Sequence, residues 1–565
     1  MYVRTTQRKN RDGSIVRYYQ LAHNVREPGT GKIIPKILHN FGRAEEIDCD
    51  ALVRLCKSID RVCHTGFREG IEKRETLPIA KDLSWPEEVK ILGSRELGPV
   101  LVIETLWERL GIGPVLRKIM DEAKYTVPYE RALMAMTANR LCAPDSKLGV
   151  WDRWLPTVFA PSCWALKLPQ MYEAMDILYN HGADVEQKVF FHTADLLNLE
   201  VDLVFYDTTT ASFCVDFDDT DENGEIGFRK RGHSKDGDWS TQMVVALAVT
   251  REGIPIRSWV FPGNTSDVAT VEKVKSDLRD WKLGRSLFVA DAGMNSEHNR
   301  ELLTKGCGKY LLAVRAASVK EVREEVLTRP GRFKKVAENL HIKEVEVGNG
   351  ELRRRYILCF NPKEARRQKA HREEVTSELT QELARHRNWD AKAKWAIKLL
   401  ASQRTSRYLS ISSAGEVCLD IEKIREAEKY DGKWVLITND DTLKIEDAAC
   451  GYKNLLIIER CFRTLKTTQI HLTPVNHWLP RRIEAHVKIC ALALLIQRTA
   501  ELACGMTWPV IRHTLAELHA VEFESGPNRF HRRNEVHEGS SQILEKLKIA
   551  MPKPVLEVTG IKQSL

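Results

Sequence analysis

Residues 201–210 read Val-Asp-Leu-Val-Phe-Tyr-Asp-Thr-Thr-Thr and mark the point where a helical sequence pattern gives way to a β pattern. Their branched and aromatic side chains favour a β-strand. Asp207 ends the apolar run, so its carboxylate is expected at a strand end, where sheets commonly present ligands. A turn-capping aspartate is the common alternative at such a position. We therefore predict that a strand of a site-bearing sheet begins here.

Downstream of this strand, short β runs alternate with helical patterns. The β runs cover residues 243–249, 255–261, 287–290 and 310–314, and the helical patterns cover residues 268–281 and 296–305. Three strands joined directly, then alternating helices and strands, are typical of a mixed sheet of the ribonuclease H type. The predicted fold class is therefore α/β, with this ribonuclease H-like mixed sheet as the catalytic core.

The rest of the chain is organised around this sheet. Its 565 residues exceed one ordinary domain, for which about 100–200 residues are typical. We predict a basic β-rich module with a linker (1–81), a helical domain (82–198), the catalytic domain (199–319 and 432–503), an insertion domain (320–431) and a polar C-terminal tail (504–565).

Composition permits a nucleic-acid partner without requiring one. The chain has 86 basic and 78 acidic side chains, which gives a net charge of +8. Residues 1–43 hold nine Lys/Arg against two Asp/Glu, with Tyr18, Tyr19 and Phe41 among them. Such a surface suits contacts with DNA phosphates, although a solvated basic surface has the same composition.

Cysteine usage and hydropathy bear on the compartment. The thirteen cysteines form no Cys-x-x-Cys pair, and Cys49, Cys56 and Cys63 are too widely spaced to complete a zinc site alone. The longest strongly apolar run, residues 489–496, is far shorter than the roughly 18–20 residues that cross a bilayer. We expect a cytoplasmic protein without a membrane span.

A second aspartate follows a β run in the same way as Asp207. Asp291 comes directly after residues 287–290, and Gly293 lies just beyond it. Carboxylates at the ends of neighbouring strands can bridge hard cations such as Mg²⁺, which prefer oxygen ligands. The pair therefore predicts a metal site at one edge of the sheet.

A third carboxylate lies in a helical pattern over residues 452–466. Tyr452, Glu459 and Lys466 recur every seven residues. At about 3.6 residues per turn this spacing is nearly two turns, so the three side chains are expected on one helix face. That face would offer a carboxylate to metal and an ammonium to phosphate. A solvated helix face is the alternative.

These motifs together resemble a known family, the bacterial insertion-sequence transposases of the cut-and-paste branch marked by a Tyr-x2-Arg-x3-Glu-x6-Lys signature. The ordered set comprises Phe205-Tyr-Asp207-Thr-Thr-Thr, Gly232-His-Ser-Lys-Asp236, Phe261-Pro-Gly-Asn-Thr-Ser-Asp267, Val289-Ala-Asp291-Ala-Gly293, Asp431-Gly-Lys-Trp-Val-Leu-Ile-Thr-Asn439 and the helix just described. One position departs from the signature, because Leu455 stands where the family has Arg. Lys453 and Arg460 are the nearby cations.

The resemblance implies a function and a set of roles. Asp207, Asp291 and Glu459 would be the DDE triad and would hold two Mg²⁺ ions, or Mn²⁺ in their place. Tyr452, Lys466 and Lys235 would contact DNA. The enzyme would bind the inverted repeats of its own element as a homodimer, cleave them and join the 3′-hydroxyls to target double-stranded DNA. The helical domain at 82–198 would then serve DNA binding or dimerisation.

Other candidate sites are weaker. Asp219 opens a segment that resembles a calcium loop, but Lys230 stands where a bidentate Glu belongs. Residues 29–32 are too short for a phosphate-binding P-loop. The adjacent Arg481 and Arg482 could grip phosphates, or could simply be charged residues at a helix start.

Two rival functions remain open at this point. A non-catalytic DNA-binding remnant would retain the fold, although an intact triad argues against it. A metal-dependent DNA nuclease without strand transfer would share the same site chemistry, and only an assay for joining separates it from a transposase.

Overall fold

The computed structural model describes residues 2–9, 15–26, 33–43, 89–220, 227–235, 237–350, 353–386, 390–525 and 528–560. The chain divides into two compact units, Met1–Glu87 and Glu88–Leu565. The described part of the first unit is an antiparallel sheet of β1 (Tyr2–Lys9), β2 (Ile15–Arg26) and β3 (Ile33–Arg43), in that order. The β-rich character predicted for the start of the chain is confirmed, since β2 pairs antiparallel with both β1 and β3. Residues 29–32 and the three cysteines at 49, 56 and 63 lie outside the described residues.

The second unit begins with one strand and a group of helices. These are β4 (Val89–Glu96), α1 (Gly98–Arg109), α2 (Ile112–Glu122), α3 (Tyr129–Cys142) and α4 (Leu168–Leu196). α1 and α4 carry proline in the first turn, where its missing N–H is not needed. Buried side chains such as Trp107 and Leu133 form the helical part of the core. The helical periodicity predicted for this region is confirmed.

A large mixed sheet follows. The strands here are β5 (Leu203–Ser212), β6 (Lys230–His233), β7 (Trp239–Val249), β8 (Pro255–Pro262), β9 (Leu287–Ala290), β10 (Lys309–Val314), β11 (Lys334–Ala337), β12 (Leu340–Val347), β13 (Arg354–Phe360), β14 (Leu409–Ile411), β15 (Val417–Leu419) and β16 (Lys433–Thr438). All except β14 and β15, which pair with each other, belong to one sheet ordered β11-β12-β13-β16-β10-β9-β5-β7, with β6 and β8 both on β7. The chain is therefore mixed α/β.

The predicted order of elements in the centre of this sheet is confirmed. β5, β7 and β8 pair antiparallel in sequence, while β9 and then β10 run parallel to β5. Helix α5 (Asp267–Asp280) precedes β9, and α6 (Glu297–Thr304) precedes β10. The strands read as nearly continuous apolar runs because both faces of the sheet are covered. In β5, Phe205 faces one hydrophobic cluster and its neighbour Tyr206 faces the other.

The predicted insertion domain at 320–431 is too large. Strands β11, β12 and β13 belong to the central sheet, since β13 pairs with β16 from Arg355 to Phe360. Only the following segment, with α7 (Pro362–Arg385), α8 (Lys394–Ala401), β14, β15 and α9 (Ile421–Glu428), packs around a small core of its own. The charged residues of β12 alternate with buried ones in its second half, as on an ordinary strand of a sheet.

The helical segment that carries Tyr452 and Glu459 is not one regular helix. α10 (Ile445–Lys453) and α11 (Leu456–Arg463) are separated by a break at residues 454–455, and a π-helical turn, Thr464–Thr468, follows. Leu455 is 7% exposed and packs into the main core at this break. The long α12 (Pro480–Cys504) then packs against α3, α4 and β8.

The C-terminal segment expected to be a polar tail is folded. It contains α13 (Trp508–Leu515), β17 (His519–Ser525), β18 (Asn528–Arg533), α14 (Glu538–Lys546) and β19 (Val555–Gly560). The strands form a sheet ordered β19-β18-β17-β4, so β17 pairs with a strand from the start of the same unit. Rings of Phe523 and Phe530 stack across β17 and β18, 5.3 Å apart. The polar composition of this segment did not indicate its strands, because their sheet is completed by β4, which is far away in the chain.

Across the described ranges, no single helix combines the length and apolar character needed to cross a membrane. The pair α12 and α13 would meet both criteria together, with a bend of 84° between them.

Candidate active site

Asp207 and Asp291 occupy equivalent positions, each directly after the last paired residue of two adjacent parallel strands. Pairing between β5 and β9 ends with Tyr206 opposite Ala290, and each aspartate is the next residue. The expected strand end is correct for Asp291, which precedes a short 3-10 turn. It is wrong for Asp207, because β5 continues along β7 as far as Ser212. The antiparallel partner extends the strand past the apolar run.

The Asp207 carboxylate is one-fifth exposed and lies among other charges. Its Oδ1 accepts a hydrogen bond from the Thr208 backbone N–H at 2.7 Å, and Lys235 Nζ lies 3.7 Å away. Burial raises the pKa of Asp207 to about 6, the charge of Lys235 opposes this shift, and the nearby Asp267 and Asp291 add to it. Several carboxylates thus share a partly desolvated space.

Asp267 is a member of this group to which the sequence reasoning gave no role. It is the first residue of α5, and its Oδ1 accepts a hydrogen bond from the Thr208 hydroxyl at 2.5 Å. An acidic residue in the first turn of a helix is common for dipole reasons alone, so its position carried little signal. Its presence in the quoted motif ending at Asp267 was the available clue.

Lys235, expected to contact DNA, lies against these carboxylates. Its Nζ donates to the carbonyl and the hydroxyl oxygen of Thr208 at 2.7 and 2.6 Å, and lies 3.3 Å from Asp267 Oδ2. Its side chain is still 37% exposed. A contact with DNA stays a prediction for Lys235, beside its observed place in the carboxylate group.

Tyr452 connects the third predicted carboxylate with the other two. Its hydroxyl donates to Asp291 Oδ1 at 3.0 Å. Burial raises the pKa of Tyr452 above its usual range, and the charges of Asp291, Glu459 and Asp207 raise it further. Glu459 is exposed on α11, which packs against β5 and β7. All three carboxylates of the predicted triad therefore act on one hydroxyl.

Metal binding was tested against the side chains themselves. In the described ranges, no three His, Cys, Asp or Glu side chains are grouped closely enough to hold one metal ion between them. The donor chemistry nevertheless fits, since carboxylate oxygens are the ligands that Mg²⁺ and Mn²⁺ prefer. Burial is the main cause of the raised pKa of Asp207, and a divalent cation would offset the repulsion from Asp267 and Asp291 that adds to it.

The remaining predicted cations lie elsewhere. Lys466 is half-buried in the π-helical turn after α11, so the argument from one regular helix face does not extend to it. Arg481 and Arg482 both pair with Asp176 of α4, at 3.1 and 2.9 Å, and the Arg482 guanidinium lies 5.0 Å from the Tyr172 ring. These contacts tie α12 to α4. A role on DNA for the three cations stays a prediction.

The alternative calcium loop is not supported by its first ligand. Asp219 pairs with Arg229 at 2.6 Å and accepts its backbone N–H at 3.1 Å. Residues 221–226 of that loop lie outside the described residues. The Thr208 hydroxyl is buried and donates a hydrogen bond to Asp267.

Comparison with known proteins adds independent information. Residues 3–70 match the family model for the N-terminal domain of IS1634 family transposases, and residues 203–496 match the model for the transposase DDE domain. A search of curated proteins gave no match. A cryo-electron microscopy structure of piggyBac transposase in a synaptic complex with hairpin DNA aligns with 9% identity and a TM-score of 0.32, over 80% of this chain and 79% of that one. This last similarity is too low to support an inference.

The matched DDE domain covers more than half of the 565 residues and contains Asp207, Asp291 and Glu459. The chain therefore belongs to the family of transposases that carry the DDE domain.

Proposed function

We propose that this transposase binds the ends of its own insertion sequence, cleaves them by metal-dependent hydrolysis and joins the freed 3′-hydroxyls to target DNA. Asp207, Asp291 and Glu459 are the proposed catalytic carboxylates. The observation that carries the proposal is the Tyr452 hydroxyl, which bonds Asp291 and whose pKa is raised by the charges of Glu459 and Asp207. Carboxylates from β5, from the end of β9 and from α11 thus act on one group.

The strand order supports a ribonuclease H-type core. Across the sheet the central strands run β8-β7-β5-β9-β10, with an antiparallel meander on one side and parallel strands on the other. Asp207 and Asp291 lie on the two adjacent parallel strands of this arrangement. Sheets of this kind present ligands at the carboxyl ends of parallel strands.

The proposed cofactor is Mg²⁺, with Mn²⁺ able to replace it, and two ions per site. Asp207, Asp291 and Glu459 would hold them. Such ions lower the pKa of a bound water or hydroxyl and stabilise the leaving oxygen of a phosphodiester. Around them, Tyr452 would fix the orientation of Asp291, and Lys235 would offset the repulsion between Asp207 and Asp267. Strand transfer needs no energy cofactor because it exchanges bonds of similar energy.

The proposed partner is double-stranded DNA, held by a homodimer. The basic β1–β3 module, which matches a transposase N-terminal domain, would bind the terminal repeats through phosphate contacts. The helical region over 82–198 would add DNA contacts or the dimer interface. The sequence motifs agree with these two assignments. A nuclease-protection assay of the repeats, with truncated and full-length chains, would test them.

The central test is DNA cleavage by three conservative variants. We expect Asp207→Asn, Asp291→Asn and Glu459→Gln each to abolish Mg²⁺-dependent cleavage of end DNA, since each removes a charged ligand. Gel-shift affinity for the same DNA should change little, because the variants remove almost no surface. Near-wild-type cleavage by any one variant would exclude that residue from the triad.

A matched control is available on the same strand. Asp202 lies just before β5, five residues ahead of Asp207, and its half-exposed side chain pairs with Arg251 at 2.6 Å. Asp202→Asn makes the same chemical change and should cleave normally. A strand-transfer assay with pre-cleaved ends separates the transposase from the nuclease alternative, because a nuclease would cut but would not join.

A further inference from the structure

A second polar pocket lies outside the carboxylate site and shares none of its residues. It has a volume of about 290 Å³ and lies between the end of α3, the turn at residues 144–147, the start of α4, the loop at 471–477 and the start of α12. This size is close to the lower limit of about 300 Å³ for ligand pockets. Exposed His471 and Asn476 stand at its mouth.

Two buried cations line this pocket without a carboxylate partner. Arg140 and Lys147 are 4% and 3% exposed. Arg140 donates to the backbone carbonyls of His471, at 3.1 Å, and Asp145, while its Nε finds no acceptor among the described residues. The Lys147 ammonium contacts His486 Nδ1 at 3.4 Å. In the described part of the chain neither cation forms an ion pair.

The acidic residue at the pocket compensates these charges only in part, because its carboxylate is shared with a third cation. Asp145 forms an ion pair with Arg153 at 2.7 Å. His486 donates from Nε2 to the Leu472 carbonyl at 3.0 Å, which leaves Nδ1 as an acceptor toward Lys147. The pocket is therefore a desolvated site with excess positive charge.

The titration behaviour of the lining groups agrees with that description. Burial lowers the pKa of Lys147 to about 7, and the neighbouring Arg140 charge lowers it further. Burial lowers the pKa of His477 to about 3, with the charges of Lys147, Arg482 and Arg140 acting in the same direction. Buried unpaired cations are costly, and groups whose pKa is shifted by burial and neighbouring charge cluster at functional sites.

We propose that this pocket holds a phosphate group of the DNA substrate, with Lys147 and Arg140 as its cationic partners and His477 beside them. An ammonium and a guanidinium are the common pair for phosphate recognition. The identity of the ligand as DNA rests on the proposed function, whereas the anion chemistry of the pocket does not. The site would hold the substrate at a point separate from the carboxylates.

The first test uses inorganic phosphate and the full-length protein. Calorimetric or ³¹P NMR titration should show saturable binding to the wild type. Lys147→Met should weaken it about tenfold or more, as expected when a charged hydrogen-bond donor is lost. Because Lys147 is buried, Asn476→Asp provides a second variant that places a negative charge at the exposed mouth and should also weaken binding. Asn180→Asp, exposed on α4, is the matched control and should bind phosphate normally.

The second test identifies the source of the phosphate. Single methylphosphonate substitutions are scanned along end DNA, and affinity is measured for the wild type and Lys147→Met. At one position of the DNA, the neutral methylphosphonate should weaken DNA binding by the wild type and have little effect on DNA binding by Lys147→Met. The proposal is overturned if inorganic phosphate does not bind. It is also overturned if inorganic phosphate binds but no methylphosphonate position affects the wild type more than Lys147→Met, because the ligand is then free phosphate. If unmodified DNA does not bind at all, the proposed function itself fails.

Discussion

Replacing Tyr452 with Phe tests how the carboxylate group is held. The hydroxyl donates to Asp291 Oδ1 at 3.0 Å, and Phe keeps the ring while removing that single donor. The sequence reasoning placed Tyr452 on DNA, whereas its described contact is with a proposed metal ligand. Tyr452→Phe therefore distinguishes a residue that orients Asp291 from one that binds the substrate.

The expected magnitude follows from two independent ranges. Hydrogen bonds to charged groups contribute about 1.5–3 kcal/mol, and about 1.4 kcal/mol corresponds to a tenfold rate change. Loss of a group that supports a metal ligand costs about 10–100-fold in affinity or activity. Both ranges centre near 30-fold, so we expect single-turnover cleavage of saturating end DNA to fall by about 30-fold.

The assay also measures how the cleavage rate depends on Mg²⁺ concentration and how tightly end DNA binds. If Tyr452 acts through Asp291, part of the loss should be recovered at higher Mg²⁺ concentration, while the affinity for end DNA stays near that of the wild type. Tyr430→Phe is the matched control, because its hydroxyl donates to Glu426 at the same distance of 3.0 Å in the α7–α9 segment. An unchanged rate, or a loss that appears only in DNA affinity, would refute the reasoning.

Four further outcomes are expected. Lys235→Met should slow cleavage about tenfold or more and weaken DNA binding less, since its ammonium lies 3.7 Å from Asp207. Lys466→Ala should lower the single-turnover cleavage rate by about 10²-fold if the ammonium stabilises phosphate charge, and an unchanged rate would return it to an ordinary surface role. DNA affinity should fall steeply with salt, and a flat dependence would contradict multiple phosphate contacts. Burial lowers the pKa of Lys147 from 10.5 to about 7. Between these two pH values the unfolded chain therefore binds more protons than the folded chain. The free energy of unfolding should therefore rise with pH across that window more in the wild type than in Lys147→Met, as measured by denaturant titration.

Local patterns were sufficient to predict the centre of the sheet. β5 and β9 are short apolar runs followed by an aspartate, and period and composition alone predict both the strands and the residues beyond them. Their adjacency is expected only once the order of elements is interpreted as that of a ribonuclease H-type sheet. The two aspartates could therefore be assigned to one site without any structural information.

What the sequence could not provide depends on partners far away in the chain. β17 is completed by β4, with His519 opposite Glu96, and nothing near either segment indicates the other. Strands β11 to β13 looked like an insertion until their pairing with β16 was known. The break at Leu455 was missed because a buried leucine fits an unbroken helix equally well. In each case tertiary pairing overrides the local pattern.

The contacts of Lys235 are compatible with both roles assigned to it, the observed one beside the carboxylates and the proposed one on DNA. Its shortest bonds, 2.6 and 2.7 Å, are to uncharged oxygens of Thr208, while the carboxylates of Asp267 and Asp207 lie farther away at 3.3 and 3.7 Å. The ammonium is thus fixed by Thr208 rather than neutralised by one carboxylate, and it remains 37% exposed. A fixed, partly exposed cation beside Asp207 offsets the repulsion between carboxylates and also attracts a phosphate that approaches them. The proposed contact with DNA would therefore follow from the same position that places Lys235 beside the carboxylates.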